Sequence, residues 1–230
     1  MLLFFRHRDL NDPVIGAFEE SVLATLRQNY SGDVWVLPHL YDLPDSCDEF
    51  REIHEQLHPN GEPFFIFSWL PVRAACAMLH QRIQEKIPTA EVTCFDLAEI
   101  QNLTVSLESL PFFSSNKGEP TAEIRRVEKP VNRRWYPVID YQTCQNCLEC
   151  VNFCLFGVYT IQENQTPLVE QPDQCRDGCP ACSRVCPAGA ILFPEYDDPI
   201  ISGRQKQPET VELGIKDEKG ELDRLIDQVG

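Results

Sequence analysis

Eight of the eleven cysteines in this 230-residue chain fall into two tight runs, and their spacing is its strongest chemical signal. The first run reads Cys144-Gln-Asn-Cys147-Leu-Glu-Cys150-Val-Asn-Phe-Cys154. The second reads Cys175-Arg-Asp-Gly-Cys179-Pro-Ala-Cys182-Ser-Arg-Val-Cys186-Pro187. Three thiolates at such short intervals let one loop wrap three corners of a 4Fe-4S cubane, while its amide N–H groups point at the sulfides and offset their charge. The fourth corner comes from elsewhere: in paired runs of this kind the last cysteine of each run serves the other cluster. That rule assigns Cys144, Cys147, Cys150 and Cys186 to one cluster, and Cys154, Cys175, Cys179 and Cys182 to a second. Zinc is the competing reading, because C-x2-C pairs also bind it. Zinc sites use separated pairs, however, and a four-cysteine run followed by a near copy has no matching tetrahedral logic.

The two runs are embedded in a duplication. Cys154-Leu-Phe-Gly157-Val-Tyr-Thr-Ile matches Cys186-Pro-Ala-Gly189-Ala-Ile-Leu-Phe, each a ligand, a glycine three residues on, and a strand-like apolar stretch. On these residues the segment from about Trp135 to Pro194 resembles the bacterial two-cluster ferredoxin family. The resemblance implies a pseudo-twofold pair of half-domains with short β-ribbons, and low-potential electron transfer to redox partner proteins. Trp135-Tyr-Pro-Val-Ile-Asp-Tyr141 is similar to the short strand that precedes the first cluster loop in that family. Two departures stand out. Cys154 is followed by Leu155 where the family usually has proline, and one extra residue separates Cys175 from Cys179. The extra residue and the insertion between Cys154 and Cys175 bear on the geometry of the second cluster, whose potential depends on hydrogen bonds to sulfur and on solvent access.

The elements that carry these loops are legible as hydrophobic patterns. Apolar runs alternate with amphipathic stretches through the first hundred residues: Leu2 to Phe5, then Val14 to Tyr30; Val34 to Leu37, then Ser46 to His58. Phe64 to Phe67 is followed by Val72 to Glu85, and Val92 to Phe95 closes the series. This rhythm predicts an α/β domain over 1–105 with a small open parallel sheet. Pro63-Phe-Phe-Ile-Phe-Ser-Trp-Leu lacks polar alternation, as expected of an interior strand covered on both faces. Residues 106–134 gain Ser, Pro, Gly and charge and read as a linker. It ends in Arg125, Arg126, Lys129, Arg133 and Arg134, either a solvated face or a patch for an acidic neighbour. For residues 135–196 the resemblance implies a small α+β ferredoxin-like domain. Residues 197–230 read as a polar tail, with Leu222, Leu225, Ile226 and Val229 at helical spacing.

Other chemistry is weaker. His54-Glu55-Gln-Leu-His58 matches the H-E-x-x-H zinc motif, but Pro59-Asn60-Gly61 ends its helix at once and no third ligand follows. In an open α/β sheet, ligands bind beyond the C-terminal strand ends, which brings His39, Ser68, Trp69, Arg73 and Asp96 towards one crevice. These residue types serve equally as loop and cap residues. There is no G-x-G-x-x-G and no Walker loop, so no motif marks a nucleotide or flavin. Cys47, Cys76 and Cys94 sit in apolar surroundings and read as small buried hydrophobes.

A net charge of −16 disfavours nucleic acid, whose binding requires clustered cations. The N-terminal apolar stretch is too short for a signal core or a membrane span, so the expected setting is cytoplasmic. The sequence thus predicts an iron–sulfur electron-transfer protein or redox-complex subunit with two 4Fe-4S clusters and no assigned catalytic residue. The alternative is an oxidoreductase whose N-terminal half binds a substrate or cofactor and receives electrons from the clusters.

Overall fold

The computed structural model describes residues 1–30, 32–43, 64–84, 92–102, 107, 110, 122–127 and 132–205. The amphipathic stretch Ser46 to His58, with Cys47 and the H-E-x-x-H residues His54 and His58, lies outside these, as do Lys129 and the pattern around Leu222.

Four predicted strands form along the apolar runs: β1 (Leu2–Phe5), β2 (Val34–Leu37), β3 (Phe64–Ser68) and, partly buried at the sheet edge, β4 (Val92–Asp96). They pair in parallel with a fifth, β5 (Ile124–Arg126), in the order β4-β3-β1-β2-β5. β3 is an interior strand, as its unbroken apolar run requires, and β1 lies at the centre. β5 falls within the stretch read as linker and adds to the free edge of β2 through the register Val34 to Ile124.

Successive residues of β1 point to opposite faces. Leu2 and Phe4 join Val34, Val36 and Phe67 against α1 (Pro13–Asn29) and α3 (Leu97–Gln101). Leu3 and Phe5 join Trp35, Leu37 and Ile66 against α2 (Val72–Gln84). Helix α1 begins where Asp12 accepts hydrogen bonds from the N–H groups of Val14 and Ile15 at 2.8 and 3.2 Å, with Pro13 suited to the first turn. It ends at Tyr30, whose backbone turns extended.

The second half is built from smaller pieces. β6 (Val138–Ile139) pairs antiparallel with β9 (Ile191–Leu192), and β7 (Tyr159–Ile161) with β8 (Pro167–Val169). Between them stand the single-turn helices α4 (Glu149–Phe153) and α5 (Ala181–Val185), and α6 (Pro199–Ser202) follows β9.

One apolar core spans both halves, because Tyr136, Val138 and Leu192 pack with Leu3, Phe5, Leu37 and Ala74. Tyr41 and Tyr136 stack at 4.5 Å between ring centroids. The Tyr136 N–H donates to the Tyr41 hydroxyl at 2.9 Å, and that hydroxyl donates back to the Tyr136 carbonyl. From α2, the Arg73 guanidinium donates to Asp140 Oδ2 and to the Gly189 carbonyl, both at 2.8 Å.

Candidate metal centre and its surroundings

The cysteine loops are shaped by unusual backbone. Asn146 and Leu148 adopt left-handed φ values of 56° and 63°, a region few non-glycine residues enter. Two such residues so close together coil the chain between Cys144 and Cys150. The longer second loop carries Gly178 at φ 72°, where glycine meets no steric penalty. The glycines three residues beyond Cys154 and Cys186, Gly157 and Gly189, also share positive φ (67° and 58°), which gives the sequence duplication its physical reason. Cys154 and Cys186 end α4 and α5, so each fourth cysteine leaves its helix as the chain turns away.

This coiling brings thiols of different runs together. Burial, then the thiols of Cys186 and Cys147 among its neighbours, raises the Cys144 pKa. Cys150 is pushed up to about 12 by burial and then by Cys186, Cys182 and Cys144. Cys175 is likewise raised to about 12 by burial, Cys182, Cys179 and Cys154. Cys182 rises to about 11 through burial and the thiols of Cys154 and Cys179, although the Tyr159 hydroxyl, donating at 3.1 Å, stabilises its thiolate. The Ala190 N–H donates to Cys186 Sγ at 3.3 Å. These donors suit anionic sulfur, and the crowding of like charge is what a bound cation relieves. Among the described residues no three His, Cys, Asp or Glu side chains converge closely enough to hold a single metal ion.

Aromatic residues close the second loop. Trp135 Nε1 donates to the Cys179 carbonyl at 3.2 Å, while its ring stacks on Phe193 at 5.3 Å and meets Tyr196 at 6.3 Å. Cys147 is exposed. Around Cys154 an apolar surface stands open to solvent: Phe153, Phe156 and Ile161 are 39 to 50% exposed and Leu155 is 91% exposed.

Of the residues predicted at the strand ends, His39 and Trp69 line one cavity of about 530 Å³. The others serve elsewhere. Ser68 accepts from the Leu70 N–H, Asp96 caps α3 by accepting from Ala98 N–H at 2.8 Å, and Arg73 holds the cluster segment. The cavity also recruits His7, Arg8, Arg133 and Arg204, none singled out for it from sequence; His7 and Arg8 come just after β1, past Arg6, and were open to the strand-end rule.

His39 is 4% exposed, and its Nδ1 has no hydrogen-bond partner among the described residues. Burial and the Arg8 charge push its pKa down to about 4. Arg8 is clamped at 2.7 Å by both Asp42 oxygens and by Glu195.

The arginines of the predicted linker are mostly engaged within the molecule. Arg125 lies over Trp35 at 5.3 Å, Arg126 meets Glu20 at 2.9 Å, and Arg134 meets Asp173 at 2.8 Å. Cys94 is buried and Cys76 partly buried in the shared core.

No helix among the described residues is long and apolar enough to cross a membrane. No family model matches the sequence. Curated relatives do. The chain is 46% identical over 66 residues to an uncharacterized ferredoxin of Methanocaldococcus jannaschii, covering 28% of this chain and 44% of that protein. It thus spans less than half the length of that relative. A second uncharacterized ferredoxin of the same organism is 42% identical over 55 residues, 23% of this chain and 86% of that protein. A ferredoxin of Methanothermococcus thermolithotrophicus is 41% identical over 59 residues, 25% of this chain and 95% of that protein. About a quarter of the chain therefore accounts for nearly all of a ferredoxin, and by this segment the chain belongs to the ferredoxin family.

Proposed function

We propose that this chain is an electron-transfer protein, or the electron-transfer subunit of a redox complex, with two 4Fe-4S clusters. Cys144, Cys147, Cys150 and Cys186 hold one; Cys154, Cys175, Cys179 and Cys182 hold the other. The observation that carries the reading is the spacing of the two cysteine runs; in its support, Cys186 is among the thiols that act on Cys144 and Cys150, and Cys154 among those that act on Cys175 and Cys182, while Cys182 also acts on Cys150. Each cluster, when bound, takes up and releases one electron.

The chain's own residues set the conditions. Ala190 N–H and Tyr159 hydroxyl donate to sulfur, which stabilises the more negative state. Trp135 and Phe193 shield the second loop from water. Cys147 and the apolar surface at Leu155 face outward, where a redox partner protein approaches. Residues 135–196 act as the redox unit and 1–105 as the recognition unit, and a reducing cytoplasm suits eight free thiols.

The test is anaerobic purification with iron and sulfide counts, followed by reductive titration under low-temperature EPR. Near eight irons with two interacting reducible centres is the expected result; zinc in place of iron overturns it. In Cys186→Ala, loss should fall on the cluster held by Cys144, Cys147 and Cys150. Loss confined to the other cluster would show the cross-ligation to be wrong.

The cavity at the strand ends favours a second reading, in which the α/β half binds a substrate or cofactor that exchanges electrons with the clusters.

A further inference from the structure

The cavity of about 530 Å³ lies where the sheet changes direction. Read from the β5 edge, the strands run β5-β2-β1-β3-β4, so the chain leaves β1 towards β2 and returns to β3 on the other side. The crevice at such a switch point, beyond the C-terminal strand ends, is where doubly wound sheets bind ligands. His7 and Arg8 follow β1, Trp69 follows β3, and the His7 and Trp69 rings meet at 5.0 Å across that point. Fold analogy alone assigns no ligand, so the lining must do so.

Four of the twelve lining residues are rings: His7, His39, Trp69 and Tyr196. That composition fits a planar ligand, since rings pair by stacking or edge contact. The charges restrict it further. Arg8 is neutralised by Asp42 and Glu195. Arg133 is exposed and forms no ion pair among the described residues, and Arg204 makes only a 3.4 Å contact with Asp96 while 48% exposed. These two guanidinium groups suit one anionic head group, with Arg the preferred partner of carboxylate and phosphate. The carboxylates of Asp9 and Asp197, also at the cavity, oppose a longer polyanion. The volume lies in the ordinary range for small-molecule sites.

The far wall, Pro194 to Asp197, belongs to the cluster half. Tyr196 in that wall meets Trp135, which hydrogen-bonds the Cys179 carbonyl. A ligand here therefore sits two aromatic contacts from a cysteine of the second loop.

We propose that the crevice binds a planar molecule with a single anionic head group, of the flavin mononucleotide class, with Arg133 and Arg204 receiving the head group. The proposal rests on the second reading above and names its ligand.

The test titrates anaerobically purified full-length protein with flavin mononucleotide, following quenching of flavin fluorescence, with riboflavin as the probe lacking phosphate. Saturable one-to-one binding is expected, with riboflavin weaker by roughly tenfold or more, the worth of one charge-assisted contact. The exposed double variant Arg133→Gln/Arg204→Gln should bring flavin mononucleotide down to the riboflavin level while iron content and EPR spectrum stay unchanged. Absence of saturable binding, equal affinity for riboflavin, or an affinity untouched by the double variant each overturns the proposal. If binding fails while eight irons remain, the electron-carrier reading stands alone; if binding holds while iron is absent, the cluster reading falls and the site survives.

Discussion

The two halves of this molecule are held by different physics. β1, at the centre of a five-stranded parallel sheet, exposes at most 1% of any residue and pairs on both sides. Burying each such Leu or Phe side chain contributes about 1.5–3 kcal/mol. The cluster half has ribbons of two or three residues, single-turn helices, and a core in which Cys150, Cys182 and Cys186 are buried among Ile139, Ile191 and Phe193. Such short ribbons are marginal without added support. The sheet therefore folds on apolar content, whereas the cysteine loops draw their order from whatever the thiols bind and from contacts donated by the sheet.

The largest effect should come from removing iron. Chelation of the reduced protein is expected to abolish hydrogen-exchange protection in β6 to β9 while protection in β1 and β3 persists. Uniform loss across both halves would break the contrast. The reverse experiment is Phe5→Ala in the shared core, expected to cost about 3–5 kcal/mol in denaturant unfolding; iron stoichiometry in the folded fraction should not change.

Acid should act next, through His39. Its folded pKa of about 4 lies below the ordinary 6.5, so on acidification the unfolded chain takes up this proton first. The stability that neutral His39 contributes is whole above pH 6.5 and lost as pH falls through 4, at most about 3 kcal/mol. Arg8, His7, Asp42 and Glu195 surround the ring, and His39→Asn should flatten this part of the pH–stability curve. The smallest stability change belongs to Leu155→Asp, within about 0.5 kcal/mol because the side chain is 91% exposed. Its expected effect is slower electron transfer to partner proteins, read by stopped-flow reduction.

Sequence reading succeeded where information is local. The strands β1 to β3 were legible because a parallel strand buried on both faces reads as a near-continuous apolar run. The cysteine runs stood out because cluster loops depend on short spacing. β5 was not legible: Ile124-Arg125-Arg126 has one apolar residue in three, and becomes a strand only through the edge offered by β2. The cavity was half legible. His39 and Trp69 followed from the rule for strand ends, but Arg133 and Arg204 arrive from segments that no periodicity connects to the sheet. Arg73 shows the converse: it was expected at the crevice, but it does not line the cavity, because Asp140 and Gly189 claim its guanidinium.

That claim bears on assembly in time. Asp140 precedes the first cysteine of the runs and Gly189 follows the last, so one side chain on α2 clasps both ends of the segment. During synthesis, N-terminal units fold first. The helix bearing Arg73, and the Tyr41 ring that awaits Tyr136, leave the ribosome before any of the eight clustered cysteines. A nascent cysteine segment thus emerges onto a surface already built to receive it, which shortens the interval in which its thiols stand open to oxidation or to the wrong metal.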